Sequence, residues 1–219
     1  MVPSTSQAWE GLEKAGEELG VEVNYLESAT DADYQPNMET FVDEDYDLII
    51  SVGYMLADAT REAAEANPDT KFAIIDDSSI DLPNVTSLMF KAEQASYLVG
   101  YVAGLTTKTN NIGFIGGMEL DTTKAKVECY EKAAQKINPD IKVSSAYAGS
   151  FSDTAKGKEI AASMVTTYDV DVMFGDASAV DTGAREALAG QEGRYDIGQP
   201  GDLGSADDPV IACSVVTDN

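Results

Sequence analysis

The sequence predicts an α/β protein made of two Rossmann-like lobes, each built on a parallel sheet. Three observations carry this. Apolar runs of strand character alternate with segments of helical period along the whole chain. The helical segments, at about 10–15 residues, are long enough to serve as βαβ crossovers. The order of elements also restarts near the middle of the 219 residues.

Residues 7–19 form the first helix, with Trp9, Leu12, Ala15, Gly16 and Leu19 on one stripe and Gly20 as its stop. Residues 21–26 are expected as a strand and 36–42 as part of a short helix. The run YDLIISVG at 46–53 is apolar without alternation, the pattern of a strand covered on both faces. A helix at 57–66, closed by Asn67-Pro68, leads to a second such strand, KFAIID at 71–76. A strand at 85–90 and a buried helix at 93–105 complete this half. Beyond Lys108 the cycle begins again with strand 112–117 (IGFIGG), helix 124–137, strand 142–148 and helix 154–165. Strand 170–175, helix 180–188, strand 194–198 and a last strand at 210–216 follow.

Displacing the chain by 122 residues sets Asp31 on Asp153, Tyr46-Asp47 on Tyr168-Asp169, Gly53 on Gly175 and Ile75 on Ile197. Such a repeat points to duplicated lobes, an N-terminal one at 1–107 and a C-terminal one at 108–219. The second lobe opens with IGFIGG ahead of its first helix, whereas the first lobe opens on its helix. A parallel sheet without that strand exposes an edge. The expectation is therefore a chain truncated at both ends, with the first strand missing and no crossover after the last one.

Composition excludes several classes. With 14 Lys+Arg against 39 Asp+Glu the formal charge is −25, which repels DNA, RNA and anionic lipid. There is no histidine, so Ser-His-Asp and Cys-His catalysis and the commonest zinc ligand are absent. Cys129 and Cys213 lie 84 residues apart without a CxxC motif and read as small buried apolar residues. No apolar stretch approaches the roughly 18–20 residues of a membrane span, and the first residues do not read as a leader. Gly116-Gly117 belongs to neither GxGxxG nor GxxxxGK[ST]. The acidic clusters Asp43-Glu44-Asp45 and Asp207-Asp208 lack a calcium-loop pattern and read as solvated turns. No metal and no cofactor is expected.

Ligands of open α/β sheets bind beyond the carboxyl ends of the strands or, in bilobed proteins, between the lobes. The residues at those ends are Tyr54 after YDLIISVG, Asp76 closing KFAIID with Asp77, Ser78 and Ser79, and Phe174 near the end of VDVMFG with Asp176 and Ser178. Gln199 and Asp202 follow YDIG, and Ser6 and Gln7 stand in the turn before the first helix. Carboxylates accept hydrogen bonds from sugar hydroxyls and heterocycle N–H edges, and aromatic faces stack on rings. With hardly a cation among them these residues suit an uncharged polar ligand rather than phosphate or carboxylate. An Asp or Ser at such a place is also an ordinary helix cap, and Asp58, Asp181 and Ser178 admit that reading.

The segments Trp9-Glu10-Gly11-Leu12, YDLIISVGYMLADAT, KFAIIDD, LPNVTSLMFKAEQASYLVGYVAGLTTKTNNIGFIGGMEL and VSSAYAGSFSDTAKGKEIAASM together resemble the basic membrane protein (BMP) family. These are bilobed substrate-binding lipoproteins of ABC transporters, several of which bind purine nucleosides. The resemblance covers residues 7 to about 190, with 86–117 its most specific part. It implies a type I periplasmic-binding-protein fold that closes on its ligand by a hinge and performs no reaction. It also implies an ABC permease as membrane partner and an extracellular or periplasmic location as an anchored lipoprotein. Asp76 is then the carboxylate for the base, and Phe174 is placed to stack on it. The chain departs from the family at Pro3-Ser4-Thr5-Ser6, which has no aromatic, at Gly175-Asp176-Ala177-Ser178, at Gln199-Pro200-Gly201-Asp202 and at Thr217.

The expected function is thus a solute-binding receptor of an ABC importer for a nucleoside or similar ligand. The alternatives are the ligand-sensing domain of a signalling protein, and a carboxylate-based nucleoside hydrolase using Asp76, Asp176 or Asp202 as base.

Overall fold

A computed structural model describes residues 3–198 and 211–214; of residues 3, 4 and 211–214 it describes the backbone alone. Contacts divide the chain into two units, one running from residue 5 to 90 and the other from 91 onward.

In the first unit Pro3 opens helix α1 (Pro3–Leu19), its fixed φ and missing N–H suiting the first helical position. Helix α2 (Tyr34–Asp43), strand β1 (Leu48–Val52), helix α3 (Ala57–Ala66), strand β2 (Lys71–Ile75) and strand β3 (Val85–Leu88) follow. The strands run parallel in the order β1-β2-β3, with Ile49 opposite Phe72 and Phe72 opposite Val85. One face of this sheet is buried: Ile49 and Phe72 cluster with Met38 of α2 and with Ala63 and Ala64 of α3. Ser51, on that face, lies 2.7 Å from Thr60, whose own hydroxyl proton goes to the Leu56 carbonyl at 2.8 Å. Both buried hydroxyls are thereby satisfied. Asn84 ties the end of α3 to the sheet by donating to the carbonyls of Ala64, Asn67 and Thr70 at 3.0–3.1 Å.

Two expectations fail in this unit. Residues 21–26 do not form a strand; they run irregularly against α1, with Trp9 and Tyr25 rings 4.8 Å apart. The run 46–53 is not covered on both faces either, because Leu48 and Ile50 are 50% and 36% exposed. Both outcomes have one cause: among the described residues β1 has a neighbour only on its β2 side, and an unpaired segment gains nothing from extended geometry.

The second unit opens on helix α4 (Ala92–Thr106) and continues with strand β4 (Asn111–Gly116), helix α5 (Asp121–Ile137), strand β5 (Lys142–Tyr147) and helix α6 (Thr154–Tyr168). Strand β6 (Val172–Asp176), helix α7 (Ala179–Leu188), strand β7 (Tyr195–Gly198) and strand β8 (Ile211–Ser214) complete it. All pairings are parallel, in the order β5-β4-β6-β7-β8, with an irregular register between β7 and β8. β4 is central, and five of its six residues are buried. On one face Ile112, Phe114, Phe174 and Ile197 pack with Val99 and Ala103 of α4 and Tyr130 and Ala134 of α5. On the other, Ile115 and Met173 pack with Ala161 and Met164 of α6 and Val180, Ala184 and Leu188 of α7. No described helix is long and apolar enough to cross a membrane.

Helix α4, grouped by sequence with the first lobe, lies on α5. The spacing Gly100-x-x-x-Gly104 gives it a groove: a side chain on Gly100 would collide with the Tyr130 carbonyl, and one on Gly104 would meet Ala134 at 3.0 Å. The helix is buried on this face alone, for Leu98, Tyr101 and Leu105 are exposed. The turn from α4 to β4 is held by Asp171, which accepts from Thr107 Oγ1 at 2.6 Å and from the N–H groups of Lys108 and Thr109 at 2.6 and 3.0 Å. Cys129 is a half-buried free thiol; the side chain of Cys213 lies outside the described residues.

Because the collision at Gly100 is with backbone, no rotamer relieves it. Gly100→Val should destabilise the chain by about 3 kcal/mol, read as a lower urea midpoint. Gly11→Ala, which meets nothing within 4 Å, should not lower it.

Candidate functional site

The carboxyl ends of each sheet gather most of the residues singled out from the sequence. In the first unit β1 ends at Gly53, whose φ of 95° is glycine territory. The chain turns there into a single 3-10 turn, Tyr54–Leu56. Tyr54 is half-buried and neighbours Tyr34, the residue that opens α2. Burial pushes the Tyr34 phenol above its ordinary value, and the hydrogen bond to Asp31, that carboxylate's charge and the nearby Tyr54 add to the rise. β2 ends at Asp76, an exposed side chain on a backbone with φ 64° that donates its N–H to the Leu88 carbonyl at 3.0 Å. Left-handed backbone at a non-glycine residue costs roughly 1 kcal/mol and concentrates at functional sites. Asp77 folds the next residues into an Asx turn, accepting from the N–H and hydroxyl of Ser79 at 2.8 and 2.7 Å. A cation stands here too: Arg61 pairs with Asp58 at 2.6 Å and reaches Ser79 Oγ at 3.4 Å.

Ser6 and Gln7 lie inside α1 rather than in a turn before it; Ser6 is half-buried and Gln7 exposed. Gln199 and Asp202 lie outside the described residues.

In the second unit β4 runs out at Gly116 and Gly117 between two rings. A side chain on Gly116 would meet the Tyr147 ring at 2.7 Å, and one on Gly117 would enter the ring of Phe151. Tyr147 ends β5 and Phe151 follows it; both are half-buried. Asp176 ends β6 and accepts from Lys126 Nζ of α5 at 2.6 Å, the two side chains 25% and 21% exposed. The next residues turn sharply: Ser178 has φ 55° and ψ −116°, and its buried hydroxyl has no hydrogen-bond partner among the described residues. The turn is pinned by the Ala177 N–H donating to Asp181 Oδ2 at 3.0 Å and by the Ala179 N–H donating to the Phe151 carbonyl at 3.0 Å.

Asp181 is not a solvated cap. It is 3% exposed, and its Oδ1 occupies the space a side chain on Gly175 would need. Burial pushes its carboxyl well above the usual carboxylate range; the Ala177 hydrogen bond opposes this, Asp196 and Asp176 reinforce it, and Arg185 counters them. Arg185 itself pairs with the buried Asp196 at 3.0 Å.

Phe174 requires a correction. It is 2% exposed and packed edge-on against Phe114, with ring centroids 5.6 Å apart, and beside Tyr130 at the same distance. Two residues before the strand end its ring points into the core face, so it offers a ligand no open surface. The rings that stand at the strand ends are Tyr147 and Phe151. Phe151 follows a strand as plainly as Tyr54 does, so its place was legible. Lys126 was not, because it reaches the strand ends from the second turn of a helix. Two open cavities in this unit, of about 360 and 620 Å³, lie elsewhere, against β5 and α6 and around the 109–111 and 139–142 turns, and neither touches these residues.

Two α/β units built on parallel sheets match a periplasmic-binding-protein-like fold. A solved ABC-transporter solute-binding protein from Aeropyrum pernix K1 shares it, with a TM-score of 0.80 and 26% identity over 90% of this chain and 58% of that one. The family model described as "Bmp: ABC transporter substrate-binding protein PnrA-like" matches residues 2–218, and the chain belongs to that family. It is similar to the "ABC transporter nucleoside-binding protein BmpA" of Lactococcus lactis subsp. cremoris, 43% identical over 180 residues, 80% of this chain and 51% of the relative. It is also similar to "Basic membrane protein A" of Borreliella burgdorferi, 36% identical over 195 residues, 87% of this chain and 57% of the relative. The chain spans about half the length of the curated relatives it matches.

Asp181 supplies a pH signature. Its folded value lies above the ordinary 3.8, so the folded chain holds a proton that the unfolded chain has released. The stability it contributes is complete below that ordinary value and is lost as pH rises through the folded one. Asp181→Asn should remove this loss: against the parent, the variant should gain stability between pH 4 and pH 8, measured as the difference in melting temperature across that range.

Proposed function

We propose that the protein is the solute-binding receptor of an ABC importer and takes a nucleoside or similar uncharged polar ring compound at the carboxyl ends of its sheets. The observation that carries this is membership of the PnrA-like family together with 43% identity to a nucleoside-binding relative. The site chemistry supports it. Asp76 and Asp176 accept hydrogen bonds from N–H and hydroxyl groups, Tyr54 and Phe151 supply ring faces, and Ser6, Gln7, Gln199 and Asp202 are further polar contacts. The receptor performs no reaction and hands its ligand to a membrane permease. It works outside the cytoplasmic membrane, anchored as a lipoprotein in its full-length form, in keeping with relatives named basic membrane proteins.

Calorimetric titration of the chain with inosine, adenosine, guanosine, ribose and glucose tests this. Saturable heat with a nucleoside and none with the sugars is expected. Asp76→Ala should weaken binding at least about tenfold, the worth of a hydrogen bond to a charged group; Phe151→Ala should weaken it by roughly three- to tenfold, the worth of a ring stack. Absence of any nucleoside signal from a folded chain overturns the reading. Release of free base during the titration would make the protein a hydrolase instead.

A further inference from the structure

The turn between β6 and α7 carries the polar end of the central strands of the second sheet, and one buried acid shapes it. Asp176 closes β6 and Ala179 opens α7. The peptide that joins Asp176 to Ala177 is held at both of its polar groups. Its carbonyl accepts from the Gly117 N–H at 3.2 Å, and its N–H donates to Asp181 Oδ2 at 3.0 Å. A peptide is planar, so bonds on its two edges fix its rotation, and with it the direction in which the Asp176 side chain leaves the strand. Two residues on, the Ala179 N–H donates to the Phe151 carbonyl at 3.0 Å, and the Ala179 carbonyl accepts from Thr154 Oγ1 at 3.3 Å. The same turn therefore spans from Asp176 to Phe151, the carboxylate and the ring that supply the proposed ligand contacts.

Helix capping does not account for Asp181. It is the third residue of α7, where an acidic side chain ordinarily accepts from the N–H of the cap residue. The cap here is Ser178, and Asp181 reaches past it to Ala177. An acid at this place favours the helix dipole only while ionised, and burial pushes Asp181 the other way, well above the usual carboxylate range. Its position is costly besides. The side chain is buried, Oδ1 has no hydrogen-bond partner among the described residues, and β6 leaves room for it by carrying no side chain at Gly175. Glycine inside a strand weakens it, and an unsatisfied buried oxygen destabilises further. An exposed cap would incur neither cost. One turn along α7, Arg185 is paired with the buried Asp196 of β7 at 3.0 Å, so the helix that carries Asp181 is itself fixed to the sheet.

We infer, on the nucleoside-receptor reading, that Asp181 is a positioning residue for the ligand: seated on Gly175 and holding the Ala177 N–H, it aims Asp176 and, through the 177–179 turn, Phe151. It acts through these two groups rather than by contact. The strained Ser178 backbone between the two fixed N–H groups is the part of the turn that Asp181 maintains.

Calorimetric titration with inosine, adenosine and guanosine separates positioning from mere support. Asp181→Leu keeps the bulk and loses the acceptor; it should weaken nucleoside binding at least about tenfold, because a loosened site forfeits its preorganisation. Asp181→Asn keeps an acceptor for the Ala177 N–H and should stay within about threefold of the parent. Gly100→Val, destabilised at the contact of α4 with α5, should bind as the parent does once folded. The Ala179 amide is bonded to Phe151 and not to Asp181. Its hydrogen exchange should nonetheless speed at least about tenfold in the leucine variant and not in the asparagine one. Should Asp181→Leu not fold, Gly175→Ala decides. Its β-carbon collides with the Asp181 carboxyl, so binding should weaken. Combining Gly175→Ala with Asp181→Gly should then restore melting temperature without restoring affinity. Equal affinities in the leucine and asparagine variants overturn the inference. So does unchanged exchange at Ala179, or a loss in Gly100→Val as large as that in Asp181→Leu. A parent chain that binds no nucleoside overturns the functional reading instead, and exchange at Ala179 then still decides whether Asp181 sets the turn.

Discussion

Pairing of β4 on both edges organises the second unit. A strand hydrogen-bonded on each side and covered on each face can carry no charge and little polarity, and NIGFIG obeys that constraint. From it follow the two core clusters, the glycine-lined seat of α4 on α5, and the placing of Gly116, Asp176 and Tyr147 on one sheet edge through the registers of β4 with its neighbours. The first unit shows the converse. Its three strands bury one face well, and apolar residues remain in water where the corresponding pairing is absent among the described residues.

Of the five described non-glycine residues with positive φ, Asp45, Asn110 and Asp169 stand in the turns that enter β1, β4 and β6, and Asp76 and Ser178 stand just past the carboxyl ends of β2 and β6. Asp76 and Ser178 hold positive φ without being glycine, and Gly53 holds it with the residue suited to it. Strain of this kind persists only where surrounding bonds over-determine it. At Ser178 those bonds are visible: the N–H groups on either side are fixed by Asp181 and by the Phe151 carbonyl. The aspartate that does this is buried at a cost, so the turn's shape is maintained against the local energetics of both backbone and carboxyl.

Much of the fold was legible because periodicity and breakers agree. Helix α3 begins and ends where its alanine pattern and Asn67-Pro68 place it, and the tyrosine-aspartate pair before β1 and before β6 marks the repeat. Legibility failed where an element depends on a partner. Residues 21–26 have strand composition, but composition does not supply a neighbour to pair with. Helix α4 was readable as a helix, whereas its seat on α5 depends on glycines whose role appears only when the two backbones meet. The strand-end positions of Tyr54, Asp76 and Asp176 were legible from topology alone. The burial of the Phe174 ring was not, since both faces of β6 are covered and only the distance from the strand end decides between core and opening, and Lys126 arrives from a helix that strand-end logic does not inspect.

The charge of the chain and the chemistry of its strand ends point in opposite directions, and their difference bears on the ligand. A molecule of formal charge −25 would ordinarily hold any cleft at negative potential and favour cations. In the second unit three acidic groups behind the strand ends are individually compensated. Asp176 is paired with Lys126 and Asp196 with Arg185, and burial pushes the Asp181 carboxyl well above the usual carboxylate range. In the first, Asp58 is paired with Arg61. Among the described residues, the ends of β4, β5 and β6 present oriented dipoles, ring faces and the paired Asp176. Such a surface gains from a ligand that matches hydrogen bonds and stacks, and gains little from one that brings a charge of either sign.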